Sequence, residues 1–255
     1  MHPRRFGRAS ATAIVIAVLA LSLTASATRR AEAVLYDGSN RPDLTLRYVT
    51  RDASDRYTVE TGPAALRVSA PATNRATPVG SDTRALIWPP GTRATRNHQS
   101  CATWTDATAE RAQQGIALRV RIDGDRLRTI VVAKNIILGA TWQMNVYTWD
   151  SARTPYLQIH GAVTLEAPFA QGQRPRALPW RVCARVDGRR VQVKGWNTAE
   201  TEPTWTGAWH AGSVLVPRKF VYPGKAGWYA GHIEPGTSLA MSHLKTVAHN
   251  APRRD

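Results

Sequence analysis

The strongest constraint on this chain is a pattern that occurs twice. Residues 116–122 alternate apolar and polar, Asp123-Gly124-Asp125 interrupts, and 126–132 continues as a second apolar-rich segment. The same grammar recurs at 180–186, Asp187-Gly188 and 191–194. A period of two marks a strand with one buried face, and Asp-Gly supplies the positive φ that a tight hairpin turn demands. Further short strands are expected at 65–70, 85–88, 143–149, 156–165, 214–216, 228–232 and 238–247, separated by Pro/Gly loops at 88–91, 167–168 and 172–179. One stretch, 106–114, reads as a short helix. Many short strands with turn residues between them predict an all-β chain folded as a two-sheet antiparallel β-sandwich.

The first 33 residues have a different character. Arg4, Arg5 and Arg8 precede an apolar run at 11–23, and Ala-x-Ala sites follow at 25–27 and 31–33. This is the layout of a signal-peptide helix that is removed on export. The apolar run is shorter than the roughly 20 residues of a membrane-spanning helix, so no stable membrane insertion is expected; an uncleaved anchor is the alternative. The reading is therefore a signal peptide over 1–33 and one β-sandwich domain over 34–255, with its core at roughly 65–247, in a secreted protein of the extracellular space or cell envelope.

Charge and cysteine content narrow the function classes. The formal net charge is +16, and the leader contributes +4 (five Arg against Glu32), which leaves +12 on the remainder. A basic surface suits polyanions. Yet there are only five lysines, no dense Lys/Arg block, no helix-turn-helix pattern and no zinc spacing, so nucleic acid is not an expected partner. Cys101 and Cys183 are an even pair in an exported chain, which favours a disulfide over two buried thiols.

Chemistry-bearing patterns are sparse. Glycosidases need two carboxylates flanking the scissile bond. The Glu residues beyond the leader (Glu60, Glu110, Glu166, Glu200, Glu202, Glu234) form no alternating pair within a strand. Gly-x-Ser-x-Gly is absent and the histidines are scattered, so neither a metal nor a cofactor is expected. Nine Trp against three Phe are the other signal. Most should be core, but Trp205 and Trp209 lie in the Gly/Thr-rich loop 201–212 and offer flat faces to sugar rings. With a rim of Arg121, Arg181 and Arg185 they are the candidate ligand-binding residues, for a glycan and in particular an anionic one.

Three features resemble the concanavalin A-like jelly-roll superfamily, which includes laminin-G-like and glucanase-like sandwiches. They are Val193-Lys194-Gly195-Trp196 ending a hairpin, Glu202-Pro203-x-Trp205, and Gly227-x-x-x-Gly231 before a final strand. Ser242-His243 stand where that strand often carries Asp-Asn, so no calcium site is implied. The segments 99–104 (Gln-Ser-Cys-Ala-Thr-Trp) and 178–183 (Leu-Pro-Trp-Arg-Val-Cys) are similar to those of a group of exported actinobacterial proteins. Gln158-Ile159-His160 and Lys225-Ala-Gly-Trp-Tyr229 resemble motifs of alginate lyase-like jelly rolls, although 115–119 lacks two residues of the accompanying Arg-x-Glu-Leu-Arg motif. That likeness implies a catalytic set. Arg119 and Gln158 would neutralise a uronate carboxylate, His160 would act as base and Tyr229 as acid, or Tyr229 as both. If every apolar face meets in one core, these residues, Arg121, Arg181 and Arg185 line one concave sheet. The expected function is non-catalytic binding of an extracellular or envelope glycan. The alternatives are a polyuronate lyase working by β-elimination and a structural envelope protein that contacts another protein.

Overall fold

Both Asp-Gly segments are hairpins in a computed structural model, which describes residues 32–38, 47–50 (main chain), 56–63, 65–77, 80, 83–108, 111–137, 140, 142–172 and 174–249. The leader up to residue 31 lies outside the described residues. In chain order the strands are β1 (Glu32–Asp37), β2 (Arg47–Thr50), β3 (Thr58–Gly62), β4 (Ala65–Ser69), β5 (Arg84–Trp88), β6 (His98–Ala107), β7 (Gln113–Asp123), β8 (Arg126–Lys134) and β9 (Gln143–Asp150). They continue with β10 (Leu157–Thr164), β11 (Ala170–Gln171), β12 (Arg174–Pro175), β13 (Trp180–Asp187), β14 (Arg190–Asn197), β15 (Ala211–Leu215), β16 (Lys225–Gly231) and β17 (Ser238–His249). A single helical turn, α1 (Glu166–Phe169), and a 3-10 turn (Arg218–Phe220) complete the described elements.

The long strands form two antiparallel sheets. One has the order β15-β14-β13-β6-β17-β4-β3, with β1 also paired to β17; the other runs β10-β9-β8-β7-β16-β5-β2. Gly124 (φ +56°) turns β7 into β8, and Gly188 (φ +52°) turns β13 into β14, as the hairpin reading requires. The alternation then decides the core. Ile116, Leu118, Ile130 and Val132 from one sheet meet Val182, Ala184, Val191, Val193 and Trp104 from the other in one buried layer. Burial of such side chains contributes roughly 1.5–3 kcal/mol each.

Polar groups stitch the two layers together. Ser100 Oγ donates to the Gly227 carbonyl (2.8 Å), and the Trp228 indole N–H donates to the Cys101 carbonyl (3.1 Å). Gly227 has to be glycine, because a Cβ there would overlap the Ile87 carbonyl on β5. The glycine-rich end of the chain is therefore scaffold that allows strands to approach closely.

Two expectations fail. The described residues of 106–114 form no helix: β6 runs on to Ala107 and β7 begins at Gln113. Gln114 Nε2 donates to the Asp106 and Ala240 carbonyls, so tertiary pairing overrides a helix-prone composition. The common face of Ile116, Leu118, Val120 and Ile122 is also broken. The β7–β8 register shifts between Leu118 and Arg121, and Arg119 sits at φ +52°. This bulge sends Val120 to the outer face with Ala117, while Ile116 and Leu118 stay between the sheets.

The bulge also sets a pH response. The Arg119 main-chain N–H donates to His98 Nε2 (3.0 Å), so His98 must hold its proton on Nδ1, beside Thr95. Burial, followed by the nearby Arg119 charge, lowers the His98 pKa from 6.5 to about 3. The unfolded chain takes up this proton near pH 6.5, whereas the folded chain resists until about pH 3. Stability is therefore complete above pH 6.5 and is lost as pH falls through that window, by about 3–5 kcal/mol from this group. Asp150, held near pKa 2 chiefly by its Arg126 hydrogen bond, adds a further loss below pH 4. Urea unfolding at pH 7, 5 and 4 should show a falling midpoint; a midpoint constant over that range contradicts the assignment.

Candidate functional site

The outer face of the eight-stranded sheet collects the residues that alternation excludes from the core. On β13 these are Arg181, Cys183 and Arg185; on β6, Gln99, Cys101 and Thr103; on β14, Gln192, Lys194 and Trp196. Cys101 and Cys183 lie directly opposite each other in the β6–β13 register and form a disulfide (Cα–Cα 4.1 Å). The Trp196 ring packs against it, with Trp205 partly covering the cluster.

Beside this floor runs an open groove of 480 Å³, bounded by Thr103, Arg181, Trp196, Thr198, Ser242 and His243. Arg181 is held in place: Nη1 donates to the His243 carbonyl (2.6 Å) and to Thr103 Oγ1 (3.2 Å). Its Nε and Nη2 have no hydrogen-bond partner among the described residues. Burial draws its pKa down, opposed by Glu202 and Asp37. The carbonyl that fixes it belongs to a residue in the left-handed region (His243, φ +49°), at a register shift in β17. A side chain rarely adopts that conformation, and it clusters at functional positions.

A cationic rim adjoins the groove. The Arg185 guanidinium lies over the Trp205 ring (4.2 Å), and Lys194 Nζ lies 4.8 Å from the same ring. Lys194 is buried, and Glu202 (2.5 Å) and the Pro203 carbonyl (2.8 Å) accept from it. The structure thus brings Arg181, Arg185 and Trp205 onto one face. It places Arg121 elsewhere, on β7 and ion-paired to Asp123 (2.8 Å). Trp209 is 76% exposed and borders a separate depression with Thr164, Glu166 and Ala167. The groove also takes in Trp196, Thr198 and His243, and its rim Lys194, none of which is among the ligand-binding residues expected from the sequence. The β14 alternation could have supplied Lys194 and Trp196, since they share Cys183's face; His243 depends on a bulge that no periodicity shows.

The lyase-like set does not converge. Arg119, Gln158, His160 and Tyr229 all belong to the seven-stranded sheet. Arg119 is fully buried, and its guanidinium donates to the carbonyls of Arg96 (2.8 Å), Phe220 (2.6 Å) and Gly188 (2.8 Å). Tyr229 is fully buried with Tyr147 and donates to Gln113 Oε1 (2.8 Å); burial raises its pKa well above the usual phenol value. Gln158 pairs with Thr148 in register, and His160 Nε2 contacts Thr148 Oγ1 (2.8 Å). Thr148 and Tyr147 are neighbours along β9, so Gln158 and His160 occupy the face opposite Tyr229. One concave sheet lined by all these residues is therefore not formed: Arg181 and Arg185 lie on the outer face of the eight-stranded sheet, Tyr229 on the outer face of the seven-stranded sheet, and Gln158 and His160 on the reverse of that second sheet.

No protein-family model matches the chain, and no curated protein matches its sequence. Solved structures do match its shape. The CBM2 module of the evolved Dit of Lactobacillus casei BL23 phage J-1 aligns with a TM-score of 0.51 at 11% identity, over 88% of this chain and 99% of that one. SCLam, a non-specific endo-beta-1,3(4)-glucanase from family GH16, aligns at 0.51 and 9% identity, over 86% and 92%. The metal-free exoplasmic/lumenal domain of VIP36 aligns at 0.50 and 9% identity, over the same shares. With its two antiparallel sheets, strand order and buried inter-sheet layer, the chain has the concanavalin A-like jelly-roll fold.

Proposed function

We propose that this is an exported, non-catalytic glycan-binding protein that takes an anionic polysaccharide across the groove of the eight-stranded sheet. One observation carries the reading: Arg181 is fixed by two acceptors, retains donors without partners among the described residues, and stands beside the flat, apolar floor of Trp196 and the disulfide. A sugar ring offers the complementary surface, with CH groups for the floor and a carboxylate or hydroxyls for the guanidinium. Thr103, Thr198 and Ser242 add hydroxyls to the walls. The fold is shared with a glucanase, which is compatible with a polysaccharide ligand. The basic leader and apolar run support export, as does the disulfide.

Protein recovered from the culture medium should have lost its leader, as intact mass will show. It should bind polyuronates or sulfated glycans more tightly than neutral glucans or mannans, with affinity falling as salt rises. Arg181→Gln should weaken binding by about tenfold while leaving the melting temperature within about 2 °C. Protein that stays in the cell with its leader intact contradicts export. Retention of no polysaccharide, or retention indifferent to Arg181→Gln, overturns the groove assignment.

A further inference from the structure

β10 and β15 are the outermost strands of their sheets, and they close one side of the sandwich. They pass so near each other that a Cβ on Gly212 would overlap the Val163 side chain. At this seam lies the open depression of 380 Å³ bounded by Thr164, Glu166, Ala167 and Trp209.

One glycine brings its walls together. The Gly195 main-chain N–H donates to the His210 carbonyl (2.9 Å), and His210 Nδ1 donates to the Gly195 carbonyl (3.2 Å). These two bonds fix the residue next to Trp209. The missing side chain of Gly195 leaves room for the Phe169 ring, which any Cβ there would overlap. Phe169 is buried and stacks on Trp180 (4.2 Å), which anchors α1 and with it Glu166. The depression is therefore held by buried packing, although its own lining is exposed.

The lining combines an aromatic face with a negative charge. Trp209 is 76% exposed and sits at φ +72°. Bulky side chains rarely adopt that conformation, and residues that do so cluster at ligand positions. Its indole has no ring or cation contact among the described residues, unlike that of Trp205. Glu166 is an exposed carboxylate with no ion pair or side-chain hydrogen bond among the described residues, in a chain with 34 Lys and Arg against 18 Asp and Glu. Thr164 adds an exposed hydroxyl.

An indole face beside a carboxylate selects a cation. A trimethylammonium head gains most from aromatic faces on several sides, and this depression has one among its described residues. A single flat face suits one side of a sugar ring, whose CH groups cover the indole while a ring hydroxyl reaches Thr164. The volume, near the small end for ligand pockets, limits the occupant to one or two rings.

We infer that this depression binds a protonated amino sugar, its ring on Trp209 and its ammonium on Glu166. The inference separates Trp209 from the anionic ligand of the groove and does not rest on that reading.

The net positive charge of the chain repels long polycations, so a disaccharide is the suitable probe. Titration calorimetry of the wild-type protein with the β-1,4-linked glucosamine disaccharide, in buffer that keeps its amines protonated, should show saturable binding. Its N,N′-diacetyl form, which keeps the rings and lacks the charge, and choline, which keeps a charge and lacks the ring, should each bind at least about tenfold more weakly. Glu166→Gln should cost about tenfold in affinity for the amine and leave the diacetyl form unchanged. Trp209→Gly, which suits the positive φ, should cost about tenfold or more with a melting temperature within about 2 °C of wild type. Four outcomes overturn the inference: no binding of the glucosamine disaccharide at millimolar concentration, a diacetyl form that binds as well, choline that binds as well, or affinity for the amine that survives Glu166→Gln.

Discussion

Replacing Cys101 and Cys183 with alanine should remove about 4–5 kcal/mol of stability. The bridge closes a loop with a sequence separation of 82 residues, and loop-closure entropy in the unfolded chain gives that figure. For a domain whose whole stability is on the order of 5–15 kcal/mol, the loss is a large fraction. The melting temperature should fall by roughly 8–20 °C, given about 2–4 °C per kcal/mol for a chain of this size. The effect should extend to the groove, because Trp196 is buried in one cluster with Cys101 and Cys183, and Trp205 packs against that cluster. Thermal unfolding of the double variant measures the first effect. Retention of anionic polysaccharide measures the second. A fall of less than about 3 °C would show that the crosslink adds little to what the β6–β13 pairing already fixes.

The second large effect is expected at Arg119. Burial lowers its pKa to about 10, so it remains charged at neutral pH, and Tyr222 and Asp187 oppose the shift. Arg119→Met keeps much of the side-chain length but leaves the carbonyls of Arg96, Gly188 and Phe220 without their donor. Orphaned buried acceptors and a lost charge-assisted network predict a destabilisation of about 3–5 kcal/mol. Arg119→Lys should recover only part of it, because an ammonium cannot reproduce the planar fork that reaches three separate acceptors. Chemical denaturation of the three proteins gives the order wild type, Lys, Met. A Met variant within about 1 kcal/mol of wild type would reduce Arg119 to a passive filler.

Much of the architecture was legible because alternation and Asp-Gly turns are local signals. The β7–β8 and β13–β14 hairpins stand where those signals put them, and so do the strands around 143–149 and 238–247. The cysteine pairing was legible too, from an even count in a chain with an export-type leader, and the β6–β13 register sets the two residues opposite each other. Faces were lost wherever a bulge intervened. One extra residue at Arg119 moves Val120 across the sheet, and another near His160 separates Ile159 from Gly161 in register. A bulge depends on what the neighbouring strand and the opposite sheet offer, and no periodicity within one strand encodes that. The same limit hid His243, whose carbonyl fixes Arg181, and it made Gln158, His160 and Tyr229 look like partners when they point to opposite sides.

The placement of Arg119 also bears on time. Its three acceptors lie 23, 69 and 101 residues away along the chain, in the approach to β6, the β13–β14 turn and the 3-10 turn. None of them is in reach until both sheets are formed and docked, so the side chain gains its contacts after the rate-limiting closure of long loops. A contact absent from the transition state leaves the folding rate alone and slows the reverse reaction. The Arg119→Met protein should accordingly refold at nearly the wild-type rate and unfold faster, by on the order of a hundredfold or more for a loss of about 3 kcal/mol. If the protein is exported, as proposed, to a place where an opened chain is cut before it can refold, its lifetime depends on that unfolding rate. Arg119 then acts as a latch that sets how long each molecule persists and has little influence on how readily it is made.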